Sequence, residues 1–270
     1  MKRLATNAAF LTVLTVLACT SNNRGGKAHT ATVVVTPNKA AILKDFESWW
    51  TYISGKIHLE RDFIPLDEDS TRISKATFLN KLAGGNYVPF EVLIKDDSSV
   101  YKIERPQKID SQISENTIQL AYTHIKNYNW EGKELPGYRF TDLNGTTYTP
   151  ENTKGKIILL KCWFIHCVAC VAEFPELNRL VEKYQGRKDV LFISLATDSK
   201  DSLYDFLNTH SFKYATAPQQ HDYIRRELQV LSYPTHFLID RAGRVVKVTQ
   251  EAKEIIPFFE KEIEKTGNGS

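Results

Sequence analysis

Cysteine is scarce in this chain, four in 270 residues, and its placement is lopsided. Cys19 stands alone near the N-terminus, whereas Cys162, Cys167 and Cys170 crowd into nine positions. Exported proteins that use cysteine as staples show an even set at wide spacings, so this clustering argues for chemistry rather than cross-linking. There is no second C-x-x-C to accompany Cys167–Cys170 and no H-x-x-x-H, which argues against a closed four-ligand zinc site. No basic tract with interleaved aromatics appears, and the formal charge of +3 includes Lys2 and Arg3, which export would remove; nucleic acid is a poor partner. After the N-terminal stretch, no apolar run is long enough to span a bilayer. What is present is an ordinary globular composition, 42% hydrophobic and 25% charged, with a length that allows one large or two modest domains.

The N-terminus reads as an export signal over residues 1–18. Lys2 and Arg3 form a short basic region, and Ala8 to Ala18 is apolar but too short to cross a membrane. It ends Val16-Leu17-Ala18-Cys19, which resembles the bacterial lipobox, in which the cysteine is lipidated and becomes the mature N-terminus. Residues 19–35 are then the lipidated tether, polar from Thr20 to Ala31.

Thr36-Pro37 predicts a helix start, with Ile42, Phe46, Trp49, Trp50 and Ile53 at helical spacing and Gly55 closing it. A helix is expected from Ser74 to Leu82, a hairpin from Val88–Ile94 and Val100–Ile103 around Asp96-Asp97-Ser98-Ser99, and a further helix from Ser114 to Asn127. This α+β region, residues 36–129, carries no motif with a chemistry. From Trp130 the pattern changes. Gly137 to Gly145 alternates and ends in an Asn-Gly turn, and Ile157 to Phe164 is a buried strand. A helix with Val171, Phe174, Leu177, Val181 and Tyr184 on one stripe follows, then a strand over Val190–Leu195 and short helices over Ser202–His210 and Tyr223–Val230. A hairpin, Thr235–Ile239 with Val245–Val248, and a helix over Ala252–Lys265 close an α/β layered sheet spanning residues 130–270.

The C-x-x-C pair sits between the buried strand and the helix. Two thiols three positions apart at a helix start can close a small disulfide ring and open it again. The free N–H groups and partial positive charge of a helix N-terminus favour thiolate at Cys167, and thiolate is the form that attacks a disulfide.

Further motifs surround this pair. Glu173 and Pro175 complete C-x-x-C-x-x-E-x-P, and Tyr233-Pro234-Thr235 precedes the strand Phe237-Leu238-Ile239-Asp240. Over roughly Gly132 to Gly267 the chain resembles the thioredoxin superfamily, most closely the membrane-tethered TlpA/ResA-type thiol–disulfide oxidoreductases. The resemblance implies a thioredoxin-like C-terminal domain, a central mixed sheet flanked by helices with Gly137–Gly145 as an added N-terminal hairpin. It implies that Cys167 attacks, Cys170 resolves, and Pro234 is cis and flanks the dithiol, with no metal and no cofactor. Three residues depart from the family pattern: His166 stands in place of tryptophan, Ala169 in place of proline, and Lys161 in a strand position where relatives carry Asp or Asn.

Glu173 would lie near the thiols and move protons during exchange, or be a surface carboxylate favouring the helix dipole. His166 tunes the nucleophile if protonated, or only covers it as a flat ring. Cys162 reads as a small buried residue facing away from Lys161, and His236 as a packed strand residue. The expected function is a lipid-anchored oxidoreductase facing the periplasm of a bacterial envelope. It would act, more as reductase than oxidant, on thiols or disulfides of exported proteins, with an envelope electron donor. Two alternatives compete. One is a copper(I) metallochaperone using Cys167, Cys170 and His166 or His236, since thiolates suit that ion. The other is a thiol peroxidase, disfavoured because Leu160 and Phe164 occupy the proline and threonine positions of the P-x-x-x-T-x-x-C pattern.

Overall fold

In the computed structural model, which describes residues 15–16, 32–95 and 98–265, the chain divides into two units between Lys126 and Asn127. The expected lipid-bearing Cys19 and the turn residues Asp96 and Asp97 lie outside the described residues, as does nearly all of the expected signal and tether.

The first unit contains β1 (Thr15–Val16), β2 (Thr32–Val34), α1 (Lys39–Ile42), α2 (Phe46–Lys56), β3 (Ile64–Leu66), α3 (Lys75–Ala83), β4 (Val88–Lys95) and β5 (Ser98–Glu104), with α4 (Ser111–Tyr128) at its end. Its sheet runs β1-β2-β4-β5-β3, antiparallel except for β3 on β5. The single helix expected from Thr36 is two helices. Asn38 caps the first through the Ala41 N–H, and Asp45, in extended conformation, caps the second through the Ser48 N–H. Two short polar side chains, each able to satisfy free N–H groups, nucleate separate helices. Gly55 lies inside α2, which ends at the β-branched Ile57 instead.

The second unit contains β6 (Phe140–Thr141), β7 (Thr147–Tyr148), α5 (Pro150–Thr153), β8 (Ile157–Trp163), α6 (Val168–Ala172), α7 (Phe174–Tyr184), β9 (Val190–Ala196), α8 (Lys200–Leu207), β10 (Ala215–Ala217), β11 (Thr235–Ile239), β12 (Val245–Thr249) and α9 (Ala252–Glu264). Its sheet runs β10-β9-β8-β11-β12. Strands β8, β9 and β10 are parallel, and β11 is antiparallel to both β8 and β12. This mixed α/β sheet flanked by helices is the thioredoxin-like arrangement. Two expectations change in detail. Tyr223–Glu227 is a single π-helical turn rather than an α-helix, and the helix after the dithiol is two helices meeting at Glu173.

Strand β8 is buried along its whole length. Side chains alternate across it. Ile158, Leu160 and Cys162 enter one apolar cluster with Phe140, Ile193 and Phe237. Ile157 and Leu159 enter another, with Leu177 and Leu180 of α7 and Ile255 and Phe259 of α9. Each such Ile, Leu or Phe side chain contributes about 1.5–3 kcal/mol by burial, which makes the strand that ends at the dithiol loop a rigid support.

Candidate active site

After Trp163 the chain leaves β8, turns through Phe164, Ile165 and His166, and enters α6 with Cys167 as N-cap. The Cys167 N–H donates to the Phe164 carbonyl at 3.1 Å, and the Ile165 N–H donates to Asp198 Oδ2 at 2.9 Å. These bonds fix the loop from both sides of His166. Cys167 Sγ accepts from the Cys170 N–H at 3.2 Å, a free amide of the first helical turn. Cys167 and Cys170 are joined as a disulfide with Cα atoms 5.2 Å apart. Cys167 is 7% exposed and Cys170 fully buried, so the first is the one an incoming sulfur can reach. His166 and Val168 are exposed beside it.

The Tyr233–Pro234 peptide is cis. Tyr233 packs on the cluster that holds Cys167, Cys170, Trp163 and Phe174, and meets Phe164 edge to face at 5.3 Å. The structure thus brings the Pro234 loop against the dithiol loop. Cys162 is a buried free thiol on the opposite sheet face, its ionisation pushed up by burial.

Glu173, the junction of α6 and α7, turns into the fold. Its Oε2 accepts from Lys161 Nζ and, at 3.0 Å, from His236 Nε2; its Oε1 accepts from the Ala252 N–H, the first residue of α9, at 2.7 Å. Lys161 and His236 side chains are 0% exposed and that of Glu173 14%. Burial raises the Glu173 ionisation, but the His236 hydrogen bond and charge and the Lys161 charge outweigh it and set it at about 2. Burial lowers the Lys161 ammonium and the His236 imidazolium despite the carboxylate beside them. The surface reading of Glu173 is therefore replaced: the helix break points its side chain inward, where a carboxylate needs partners. His236 is packed in its strand, as expected, but takes part in a charged network.

Sequence reasoning marked Lys161 and His236 singly and did not join them. The available signal was register: a strand antiparallel to β8 after the cis-proline sets His236 directly opposite Lys161. Asp198 had no signal, since its role depends on where β9 ends. Among the described residues no group of three His, Cys, Asp or Glu side chains is arranged to hold a metal ion. His236, one of the two histidines considered for copper(I), has its Nε2 engaged by Glu173.

Residues 132–248 match the AhpC/TSA family. The chain is 34% identical over 135 residues to the thiol-disulfide oxidoreductase ResA of Bacillus thuringiensis (strain Al Hakam), covering 49% of this chain and 78% of that protein. It is 26% identical over 115 residues to the thioredoxin-like protein YneN of Bacillus subtilis (strain 168), covering 42% of this chain and 67% of that one. Among solved structures, the thioredoxin domain of a thiol-disulfide oxidoreductase from Bacteroides vulgatus superposes with a TM-score of 0.44 at 21% identity, over 48% of this chain and 96% of that one.

Proposed function

The chain belongs to the ResA-type thiol–disulfide oxidoreductases of the thioredoxin-like AhpC/TSA family, and from that premise we propose that it reduces disulfides of exported proteins from a lipid anchor in a bacterial cell envelope, facing the periplasm. The observation that carries the reading is the Cys167–Cys170 pair at the N-terminus of α6, packed beside the cis Pro234 loop.

In this reading the Cys167 thiolate attacks a substrate disulfide, forms a mixed disulfide and expels one substrate sulfur, which takes up a proton. Cys170 then attacks Cys167 Sγ, closes the Cys167–Cys170 disulfide and releases the second substrate sulfur, which takes up the proton that Cys170 gives up. A dithiol donor in the envelope reopens the pair by the same exchange in reverse order. Two exposed apolar side chains support contact with an extended, uncharged stretch of substrate: Val168, between the cysteines, is 83% exposed, and Leu231, three before Pro234, is 70% exposed. The direction of electron flow rests on Glu173. An ionised carboxylate one turn past Cys170 disfavours thiolate there, and a poorly stabilised thiolate makes a dithiol more reducing.

The test is a pair of single variants assayed on a model protein disulfide. Cys167→Ser should abolish exchange, and Cys170→Ser should accumulate a mixed disulfide with substrate, visible as a mass adduct. Near wild-type reduction by Cys167→Ser removes the assignment. A reduction potential near that of the strong periplasmic oxidants, about −120 mV, reverses the direction while leaving the site in place.

A further inference from the structure

Buried polar residues cross the second unit's sheet in a single row. The registers pair Thr249 with His236, His236 with Lys161, Lys161 with Ser194, and Ser194 with Thr216, one residue from each of β12, β11, β8, β9 and β10. All five are 3% exposed or less. The Ser194 end is neutral and closed on itself: Ser194 Oγ accepts from Trp163 Nε1 and donates to Thr216 Oγ1. The Lys161 and His236 end converges on one acceptor, Glu173, which the N-terminus of the thirteen-residue helix α9 also engages through the Ala252 N–H. Three donors from three elements thus occupy both carboxylate oxygens. Facing this cluster are Tyr214, whose buried hydroxyl has no hydrogen-bond partner among the described residues, and His236 Nδ1, likewise buried and without a partner among them.

We propose that Lys161 and His236 are positioning residues that clamp the Glu173 carboxylate as a permanent anion against the start of α9, so that it acts on the Cys167–Cys170 dithiol as a fixed charge and not as a carrier of protons. A carboxylate that shuttles protons must present a free oxygen and accept the proton at working pH. This one has neither oxygen free. Its partners come from β8, β11 and α9, so its position is set by the sheet and does not change with each turnover. The cluster on Glu173 gives the reason that Lys161 can stand buried in a strand that is otherwise apolar: buried charge requires a paired opposite charge with further hydrogen bonds, and Glu173 receives three.

The inference rests on the Cys167–Cys170 pair being the exchanging dithiol only for its effect on rate; the clamp itself is measured on folded protein without substrate. Carboxyl carbon NMR of the full-length protein, labelled at glutamate and assigned with Glu173→Gln, should show the Glu173 resonance unshifted from pH 7 down to 4. In Lys161→Met and in His236→Leu it should titrate upward by about one unit or more, each unit being a tenfold change in proton affinity. His236→Gln, which keeps an N–H donor, should restore the wild-type curve. The rate of disulfide exchange against pH should follow thiol ionisation alone in the wild type, and gain a second, mildly acidic ionisation in Lys161→Met that Glu173→Gln removes. A Glu173 resonance that titrates near 4.5 in the wild type, or one unmoved in both variants, overturns the clamp. An unmoved exchange profile in Lys161→Met with a shifted resonance overturns its link to the dithiol. Activity surviving in Cys167→Ser overturns the functional reading and leaves the clamp standing. Lys161→Met and His236→Leu disturb the cluster from different strands, so misfolding of one leaves the other as the test.

Discussion

Lys161 carries an ammonium into the middle of a strand whose other positions are apolar, aromatic or cysteine, and its stability consequence is specific. Removing one partner of a buried ion pair leaves an uncompensated charge and costs about 3–5 kcal/mol, whereas removing both often costs little. Glu173→Gln should therefore lower the unfolding midpoint more than the double variant Lys161→Met/Glu173→Gln, as read by chemical denaturation. Additive losses would show that the two side chains do not depend on each other. Acid is the second probe of the same residues. The folded state holds Glu173 at about 2 against an ordinary 4.5, and burial lowers His236 below its ordinary 6.5. In both windows the unfolded chain binds more protons than the folded one, so stability falls as pH falls. The His236 contribution is intact above about 6.5 and erodes below it; that of Glu173 is intact above about 4.5 and erodes toward 2. Denaturation midpoints measured from pH 8 to 3 should decline in these two stages, and His236→Leu should abolish the first.

At the scale of elements, the loop from Trp163 to Cys167 is held by a carboxylate from a different part of the sheet. Asp198 follows β9 and takes the Ile165 N–H, while its own carbonyl accepts from the Gln219 N–H, tying the ends of β8, β9 and β10 into one rim. Asp198→Ala should cost about 1.5–3 kcal/mol, the range for a hydrogen bond to a charged group. It should also slow exchange severalfold by loosening the segment that aims Cys167, whereas Asp198→Asn, which keeps an acceptor, should retain the rate. Equal rates in wild type and Asp198→Ala would remove the loop from the list of catalytic supports. Asp198 also shows what sequence does and does not carry. The buried strands β8 and β9, the β11–β12 hairpin and α9 were legible because apolar runs and their spacing are local signals. Strand β10, Ala215–Ala217, was not, since three small residues show no periodicity and become a strand only by pairing with β9. The break at Glu173 was hidden for a similar reason. The stripe Val171, Phe174, Leu177 continues across it, and Pro175, which lies in the first turn of α7, is as compatible with a helix start as with a bend. The dithiol and cis-proline were readable as motifs. The three-donor cluster on Glu173 was not, because it is assembled by strand register and a helix start 79 residues away.

At the scale of the whole molecule, two units with separate sheets follow one another along the chain, and the dithiol lies in the second. The first contributes no thiol among the described residues. What localises this chemistry, in the function proposed, is the lipobox-like segment near the N-terminus, Val16-Leu17-Ala18-Cys19. Lipid at Cys19 would bring several acyl chains, and stable membrane residence needs more than one, each buried CH₂ contributing about 0.8 kcal/mol. Expressed with its own N-terminus in a bacterial host, the protein should partition with membranes and resist extraction by salt, because the anchor is apolar and unscreened. Its mature N-terminal peptide should begin at Cys19 and carry a diacylglyceryl mass. Cys19→Ser should block that modification and shift the protein to the salt-extractable or soluble fraction with disulfide exchange undiminished, because the dithiol lies some 150 residues further along. A mature terminus at any other residue, or an unmodified Cys19, would leave the oxidoreductase intact and remove the anchor, so that its access to substrates would be set by diffusion rather than by residence at the membrane surface.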